Sequence, residues 1–129
     1  MRPLTITRRA AILAGAATSV ATPAFATETR AMYGLIGKIR AQPGQRDALI
    51  SILLEQQEMP GCYSYVVAKD PQDADAVWVT EVWESGAAHQ ASLSIPAVKD
   101  AISRARPMIA GFDDHHEIEP VGGIGLTGR

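Results

Sequence analysis

The sequence predicts an α+β fold in which helices cover one face of an antiparallel β-sheet. Four runs are rich in β-branched and aromatic residues or alternate in polarity, as strands do. Segments with helical spacing of apolar residues follow the first run and the third. The resulting order, β-α-β-β-α-β, is the ferredoxin-like arrangement.

The first strand is predicted over residues 33–40 (YGLIGKIR), where apolar side chains alternate toward one face. Pro43 and Gly44 end this strand. Residues 45–58 then repeat apolar side chains at helical spacing and stop before Pro60-Gly61. The apolar positions of this helix are Leu49, Ile50, Leu53 and Leu54.

A β-hairpin follows the first helix. Residues 63–67 (YSYVV) and 77–83 (VWVTEVW) have strand composition, and Asp70-Pro71 with the acidic residues 73–75 supplies turn chemistry between them. In the second of these strands Val77, Val79, Glu81 and Trp83 share one face.

The second helical region is predicted as two short helices. Ser85 is positioned to cap a helix over residues 86–93, and Ser94 to cap a second that runs to about residue 106 with Pro96 in its first turn. After Pro107, residues 115–121 (HHEIEPV) predict a last strand, at an edge or ending near Pro120. The tail from about residue 122 is expected to be mobile.

The first 26 residues have the features of a secretory signal peptide, and residues 27–129 form a single predicted domain. Arg8 and Arg9 precede a short apolar run, and Ala24-Phe25-Ala26 is a small-x-small cleavage signal. The run is shorter than the roughly 20 residues that span a membrane. The arginine pair favours twin-arginine export, with general secretion or an uncleaved anchor as alternatives. We expect a periplasmic or secreted protein without stable membrane insertion after cleavage.

The charge of the mature chain disfavours a nucleic-acid partner. The whole chain has 12 basic and 14 acidic residues, and the leader contains three arginines and no acid. Nine basic against fourteen acidic residues remain, a net charge of −5, whereas phosphate binding requires a basic surface. Cys62 is the single cysteine, so an intrachain disulfide and a cysteine-based zinc site are excluded.

Helices on one face leave the other face of a small sheet exposed to water. Pairing two copies sheet to sheet with two-fold symmetry removes this exposure economically. We therefore predict a homodimer.

Four motifs resemble the antibiotic biosynthesis monooxygenase domain, including its small quinol-monooxygenase-like members, over about residues 31–123. These motifs are Pro43-Gly44, Pro60-Gly61-Cys62, Glu81-Val82-Trp83-Glu84 and Ala88-His89. The resemblance implies a dimeric α/β barrel. It also implies oxidation of a quinol or electron-rich phenol by O₂ without metal or flavin cofactor. A non-catalytic ligand-binding or stress-associated dimer of the same fold is the alternative, because fold does not determine reaction.

Such a reaction needs a base for the phenolic proton, and histidine is suited to this near neutral pH. The resemblance assigns His89 to the site. His115 and His116 are adjacent on the last predicted strand, so only one can face the interior; the shared parity of His116 and Ile118 favours His116. A metal site at His115, Glu117 and Glu119 is a weaker alternative, which a solvated acidic strand also explains.

Aromatic side chains are the predicted substrate contacts. The resemblance places Trp83 beside the cavity, where its indole is suited to stacking on an aromatic ring. Tyr63 and Tyr65 are spaced to share a strand face and to hydrogen-bond a quinol oxygen. Relatives that degrade haem use an asparagine, and this chain contains none, so that activity is not expected.

Overall fold

A computed structural model describes residues 31–126, which form four strands, three helices and one 3-10 turn. The elements are β1 (Tyr33–Ala41), α1 (Arg46–Leu53), β2 (Cys62–Lys69), β3 (Ala76–Trp83), α2 (Gly86–Ser92), α3 (Pro96–Ala105), the turn Arg106–Met108 and β4 (Ile109–Ile118). The predicted leader, residues 1–26, lies outside the described residues.

The four strands form one antiparallel sheet in the order β2-β3-β1-β4. This order and the α+β class confirm the predicted ferredoxin-like fold, in which α2 and α3 together replace one helix. The sheet is open within the chain, so dimeric closure into a barrel stays a prediction.

One face of the sheet packs against the helices and forms the core. Alternate residues of β1 and β3 point to this face, including the buried Leu35, Ile39, Val77 and Trp83. Leu49 of α1 is fully buried beneath them. Burial of these side chains supplies the main stabilising term of a small domain.

Helix α1 ends earlier than predicted, at Leu53 instead of residue 58. Its buried residues are Leu49 and Ile52, whereas Leu54 is 46% exposed. The Leu53-Leu54 pair suggested a longer apolar stripe, but the end of the helix turns Leu54 away from the core. The segment after it leads to β2 without further helix.

Strand β4 begins six residues before the prediction, at Ile109. Pro107 ends the helical region in a 3-10 turn, and the backbone N–H of Gln42 donates to the Met108 carbonyl at 2.7 Å. This bond aligns the chain with β1 immediately after the turn. Gly111 and the charged residues that follow it had obscured the strand pattern.

The start of α3 differs from the predicted cap. Ile95, not Ser94, is its N-cap residue, and Pro96 is the first helical residue, a position where its missing N–H costs nothing. Ser85, in contrast, caps α2 as predicted, because its hydroxyl accepts a hydrogen bond from the N–H of Ala88 at 3.1 Å.

The second face of the sheet has no helix on it. Ile36, Trp78 and Val82 point to this face, and Val66 and Ile118 add exposed apolar area. Salt bridges of Lys38 and Arg40 lie among these side chains. Across residues 31–126, none of the helices is both long and apolar enough to cross a membrane.

Candidate active site

A cavity of about 580 Å³ lies between the helix-covered face of the sheet and the helices. Most of its wall is apolar, from side chains such as Ile39 of β1, Leu93 after α2 and Ile102 of α3. Its polar side chains are few: Gln56, Tyr65, Glu81, Ser92 and Arg106. A cavity of this size and composition is suited to a small aromatic ligand.

Glu81 brings a carboxylate to this apolar wall. It alternates along β3 with Val79 and Trp83 on the helix-covered face, and its side chain is only 16% exposed. Its carboxylate accepts a hydrogen bond from Nε1 of Trp83 at 2.8 Å. In residues 31–126 no lysine or arginine forms an ion pair with it. It is therefore a proton acceptor in an apolar environment.

Tyr65 lies directly opposite Glu81 on the neighbouring strand β2 and also lines the cavity. Burial, followed by the charge of Glu81, raises the pKa of the Tyr65 phenol. Its hydroxyl makes no hydrogen bond with residues 31–126, so it is free to donate to a ligand. The pair combines a hydrogen-bond acceptor and a donor at one place in the cavity.

His89 lies behind this pair and does not itself line the cavity. The N-cap of Ser85 fixes the start of α2, which carries His89. The imidazole Nε2 is 3.9 Å from Oε2 of Glu81, and the ring packs edge-on against Trp83 with centroids 5.4 Å apart. On its other side the ring of Tyr33 is 5.3 Å away. The structure therefore joins His89 to the site through Glu81.

Trp83 forms part of the cavity wall and is 1% exposed. Its N–H is bonded to Glu81, so the indole offers a ligand its ring and not its hydrogen-bond donor. The acceptor of the N–H is a residue of the same strand.

His116 is not part of the cavity, and the prediction that it faces the interior is wrong. Register pairs it with Ile36, which points to the uncovered face of the sheet. The imidazole is 63% exposed and lies 3.1 Å from Asp114. Ile118 points to the same face of β4 as His116, but it is itself exposed.

Tyr63 also lies apart from the cavity. A β-bulge between Cys62 and Ser64 interrupts the alternation that would have placed Tyr63 with Tyr65 on one site. Tyr63 lines a separate, more polar groove beside Met59 and Cys62. Burial raises the pKa of the Cys62 thiol, and the charge of Glu81 acts in the same direction.

No set of three or more His, Cys, Asp or Glu side chains within residues 31–126 is arranged to hold a metal ion. On β4, Glu117 accepts a hydrogen bond from the hydroxyl of Tyr33 at 2.9 Å. That contact gives Glu117 a structural role between β4 and β1.

Glu81 was missed as a site residue by sequence reasoning, although its signal was present. A charged residue stood on the same face as Val77, Val79 and Trp83, the face with the most buried side chains. A carboxylate on a buried strand face needs a partner or a function. Nothing in the local sequence pattern distinguished Arg106, which is among the residues that line the cavity.

Fold and cavity define this protein as a ferredoxin-like α+β protein with an apolar cavity between its sheet and helices. Residues 32–104 match the antibiotic biosynthesis monooxygenase family. The chain belongs to this family, as the motifs around Gly61, Trp83 and His89 indicated.

Solved structures support the assignment. A protein from Chloroflexus aurantiacus J-10-fl that is named for the same family is 66% identical, with a TM-score of 0.72. The match covers 74% of this chain and 98% of that one. Proteins from Caulobacter crescentus CB15 and Pseudomonas aeruginosa share the fold at 19% and 17% identity, with TM-scores of 0.65 and 0.62. Each match covers 73% of this chain, and 93% and 98% of the respective relatives. No curated protein matches the chain significantly.

Proposed function

We propose that this protein is a monooxygenase that oxidises a quinol or a related electron-rich phenol with O₂. The observation that carries the proposal is that Glu81 and Tyr65 are register partners on neighbouring strands and that both line an apolar cavity. The substrate itself supplies the electrons, so the proposed reaction uses no metal or flavin.

The first step is loss of the phenolic proton. With the substrate hydroxyl between the two side chains, Glu81 accepts the proton and the Tyr65 hydroxyl donates a hydrogen bond to the developing oxyanion. An apolar wall strengthens both interactions because it excludes water. The resulting phenolate is electron-rich enough to react with O₂.

The second step forms a carbon–oxygen bond. One electron passes from the phenolate to O₂, and the two radicals combine to give a hydroperoxide at a ring carbon after it gains a proton. Loss of the hydrogen on that carbon, together with cleavage of the O–O bond, releases water and leaves a quinone. Both atoms of O₂ are thus accounted for, one in the product and one in water.

His89 is proposed to carry the proton away from Glu81. Its Nε2 is 3.9 Å from Oε2 of Glu81, so a shift of about 1 Å would bring them to hydrogen-bond distance.

A homodimer is the proposed working unit. The uncovered sheet face carries Ile36, Trp78 and the half-exposed Val66, and a second copy packed there would remove this area from water. Replacement of Val66 by Glu should convert the dimer to monomer in analytical ultracentrifugation. A wild-type protein that sediments as a monomer at micromolar concentration would contradict the proposal.

Export is proposed on the sequence of the leader alone. Mass spectrometry of the full-length product from a bacterial host should give an N-terminus at Thr27. Replacement of Arg8 and Arg9 by lysine should retain the precursor if the twin-arginine route is used.

The oxygenase test is O₂ uptake by the protein from Thr27 onward with a panel of quinols and polyphenols. The assay contains excess chelator, and autoxidation with heat-denatured protein is subtracted. Saturable uptake and a product that contains one atom from ¹⁸O₂ are expected. Activity that disappears with chelator and returns with a metal would overturn the cofactor-independent mechanism.

A binding protein of the same fold is the second candidate. It is favoured by one observation: His89, the proposed histidine of the site, lies behind the cavity and not in it. Saturable binding of the same phenols without O₂ uptake would support this function over the oxygenase.

A further inference from the structure

We propose that the ligand of this cavity is a phenol that also carries an acidic group, which Arg106 binds at the end opposite Glu81. The inference rests on the proposed function for its assignment of the phenolic end to Glu81 and Tyr65. It adds a class of substrate, a hydroxylated aromatic acid, that the family alone does not specify.

Arg106 differs from the other arginines of residues 31–126 in having no partner there. Arg40 binds Asp73 and Asp113, Arg46 donates to backbone carbonyls, and Arg104 binds Glu55 and Asp100. Arg106 is an exposed residue among those that line the cavity, and its guanidinium makes no hydrogen bond or ion pair within the described range. A guanidinium carries five N–H donors, which suits it to bidentate binding of a carboxylate.

The backbone that carries Arg106 is held in place. Arg106 begins the 3-10 turn, the following Pro107 has a fixed φ, and the Met108 carbonyl accepts a hydrogen bond from the N–H of Gln42 at 2.7 Å. The arginine is thus presented from a fixed turn, so less entropy is lost when an anion binds than for an arginine on a free loop.

Register gives the separation of the two polar ends. Glu81 pairs with Leu35 on β1, whereas Phe112 and Ile109, which line the cavity near the Arg106 turn, pair with Ile39 and Ala41. Four to six residues of strand correspond to about 13–20 Å. With the arginine side chain extended toward Glu81, a ligand that spans on the order of 10 Å would reach both groups.

The wall between these ends is apolar and includes Phe112, which is 66% exposed. An aromatic ring with an acidic side chain matches this order of environments: hydroxyl at Glu81, ring and linker along the apolar wall, carboxylate at Arg106. Because Coulomb energy falls with distance, the repulsion between Glu81 and a carboxylate on the order of 10 Å away is smaller than the attraction between that carboxylate and an arginine in contact with it.

The test compares 3,4-dihydroxycinnamate with its methyl ester, which keeps the ring and both hydroxyls and replaces the charged carboxylate by a neutral ester. Binding is measured by calorimetry, under anaerobic conditions, for the wild type, Arg106→Gln and Arg104→Gln. Arg104 is the matched control because it lies two residues away on α3 and pairs with Glu55. Circular dichroism and thermal unfolding verify that each variant is folded.

The acid should bind the wild type more tightly than the ester, and Arg106→Gln should weaken acid binding by about tenfold to a hundredfold, as for loss of a charged hydrogen-bond partner. Binding of the ester should be unchanged in Arg106→Gln, and Arg104→Gln should alter neither ligand. Three results would overturn the proposal. The wild type could bind acid and ester with equal affinity, Arg106→Gln could weaken the binding of both ligands equally, or neither ligand could bind.

The same ligands distinguish this inference from the proposed function. Arg106-dependent binding of the acid without O₂ uptake would support the anion site and contradict the oxygenase function. Oxidation of acid and ester with equal efficiency would support the oxygenase function and contradict the anion site.

Discussion

The indole N–H of Trp83 is bonded to the carboxylate of Glu81 at 2.8 Å, although the two residues are only two positions apart on β3. Residues at this spacing point to the same face of a sheet. The bond gives the buried N–H of Trp83 an acceptor, and it also fixes the orientation of the Glu81 carboxylate. The same oxygen, Oε2, lies 3.9 Å from Nε2 of His89, whereas Oε1 accepts no hydrogen bond within residues 31–126.

Replacement of Glu81 by Gln should lower turnover by on the order of 10²-fold or more, because the amide keeps the shape and loses the proton acceptor. Steady-state O₂ uptake measures the change, and calorimetry verifies that phenol binding persists. Glu119→Gln is the control for removal of one acidic charge, since Glu119 is exposed and is not among the residues that line the cavity. Full activity in Glu81→Gln would remove Glu81 as the base.

His89→Ala should lower turnover, while His116→Ala should leave it unchanged. His89 contacts Glu81 and Trp83, whereas His116 is exposed on the uncovered face. If His89 relays the proton, added imidazole should partly restore the His89→Ala rate. If His116→Ala lost activity but remained a dimer, the uncovered face of the sheet would contribute to the reaction.

Gly61→Ala should destabilise the protein by about 2–4 kcal/mol, the sum of left-handed backbone strain and overpacking. Gly61 has φ of 80°, and an added Cβ would lie 2.7 Å from the Cβ of Ala88. Gly44→Ala is the matched variant, with φ of 76° and no atom within 4 Å, and should cost about 1–2 kcal/mol. Equal losses in urea unfolding would contradict the predicted clash with α2.

Tyr65 makes alkaline stability depend on pH. Its pKa in the folded protein is raised above the ordinary value of 10.0 by burial and by Glu81. The unfolded chain therefore releases this proton first, and stability should fall as pH rises above about 10, by about 1 kcal/mol per pH unit. Urea unfolding at pH 9 and pH 11 should show a smaller loss for Tyr65→Phe than for the wild type. An identical loss in both would contradict the raised pKa.

Leu49→Ala should destabilise the protein by about 2–5 kcal/mol, because Leu49 is fully buried in the core and its removal leaves a cavity. Leu54, 46% exposed just after α1, is the control, and its replacement by Ala should cost less than about 1 kcal/mol. Similar losses would indicate that the helix continues beyond Leu53 in solution.

Local pattern was sufficient to predict the order of elements and the faces of single strands. Alternation along β3 placed Glu81 and Trp83 on one face before any contact was known, and the cap at Ser85 followed from its residue type. The faces of β3 and the cap at Ser85 both depend on residues within a few positions of each other. Over so short a stretch, backbone geometry alone sets where the side chains point.

The tertiary structure decided which side chains meet. The bulge between Cys62 and Ser64 separates Tyr63 from Tyr65, and the register of β4 on β1 turns His116 away from the helices. The tertiary structure also places Tyr65 opposite Glu81 and brings Arg106 to the same cavity. Strand register depends on pairing between segments that are distant in sequence. One extra residue in a bulge reverses the face to which every later side chain of that strand points. That dependence is why the sequence alone determined the fold and the faces of β3, while the site was determined only by packing.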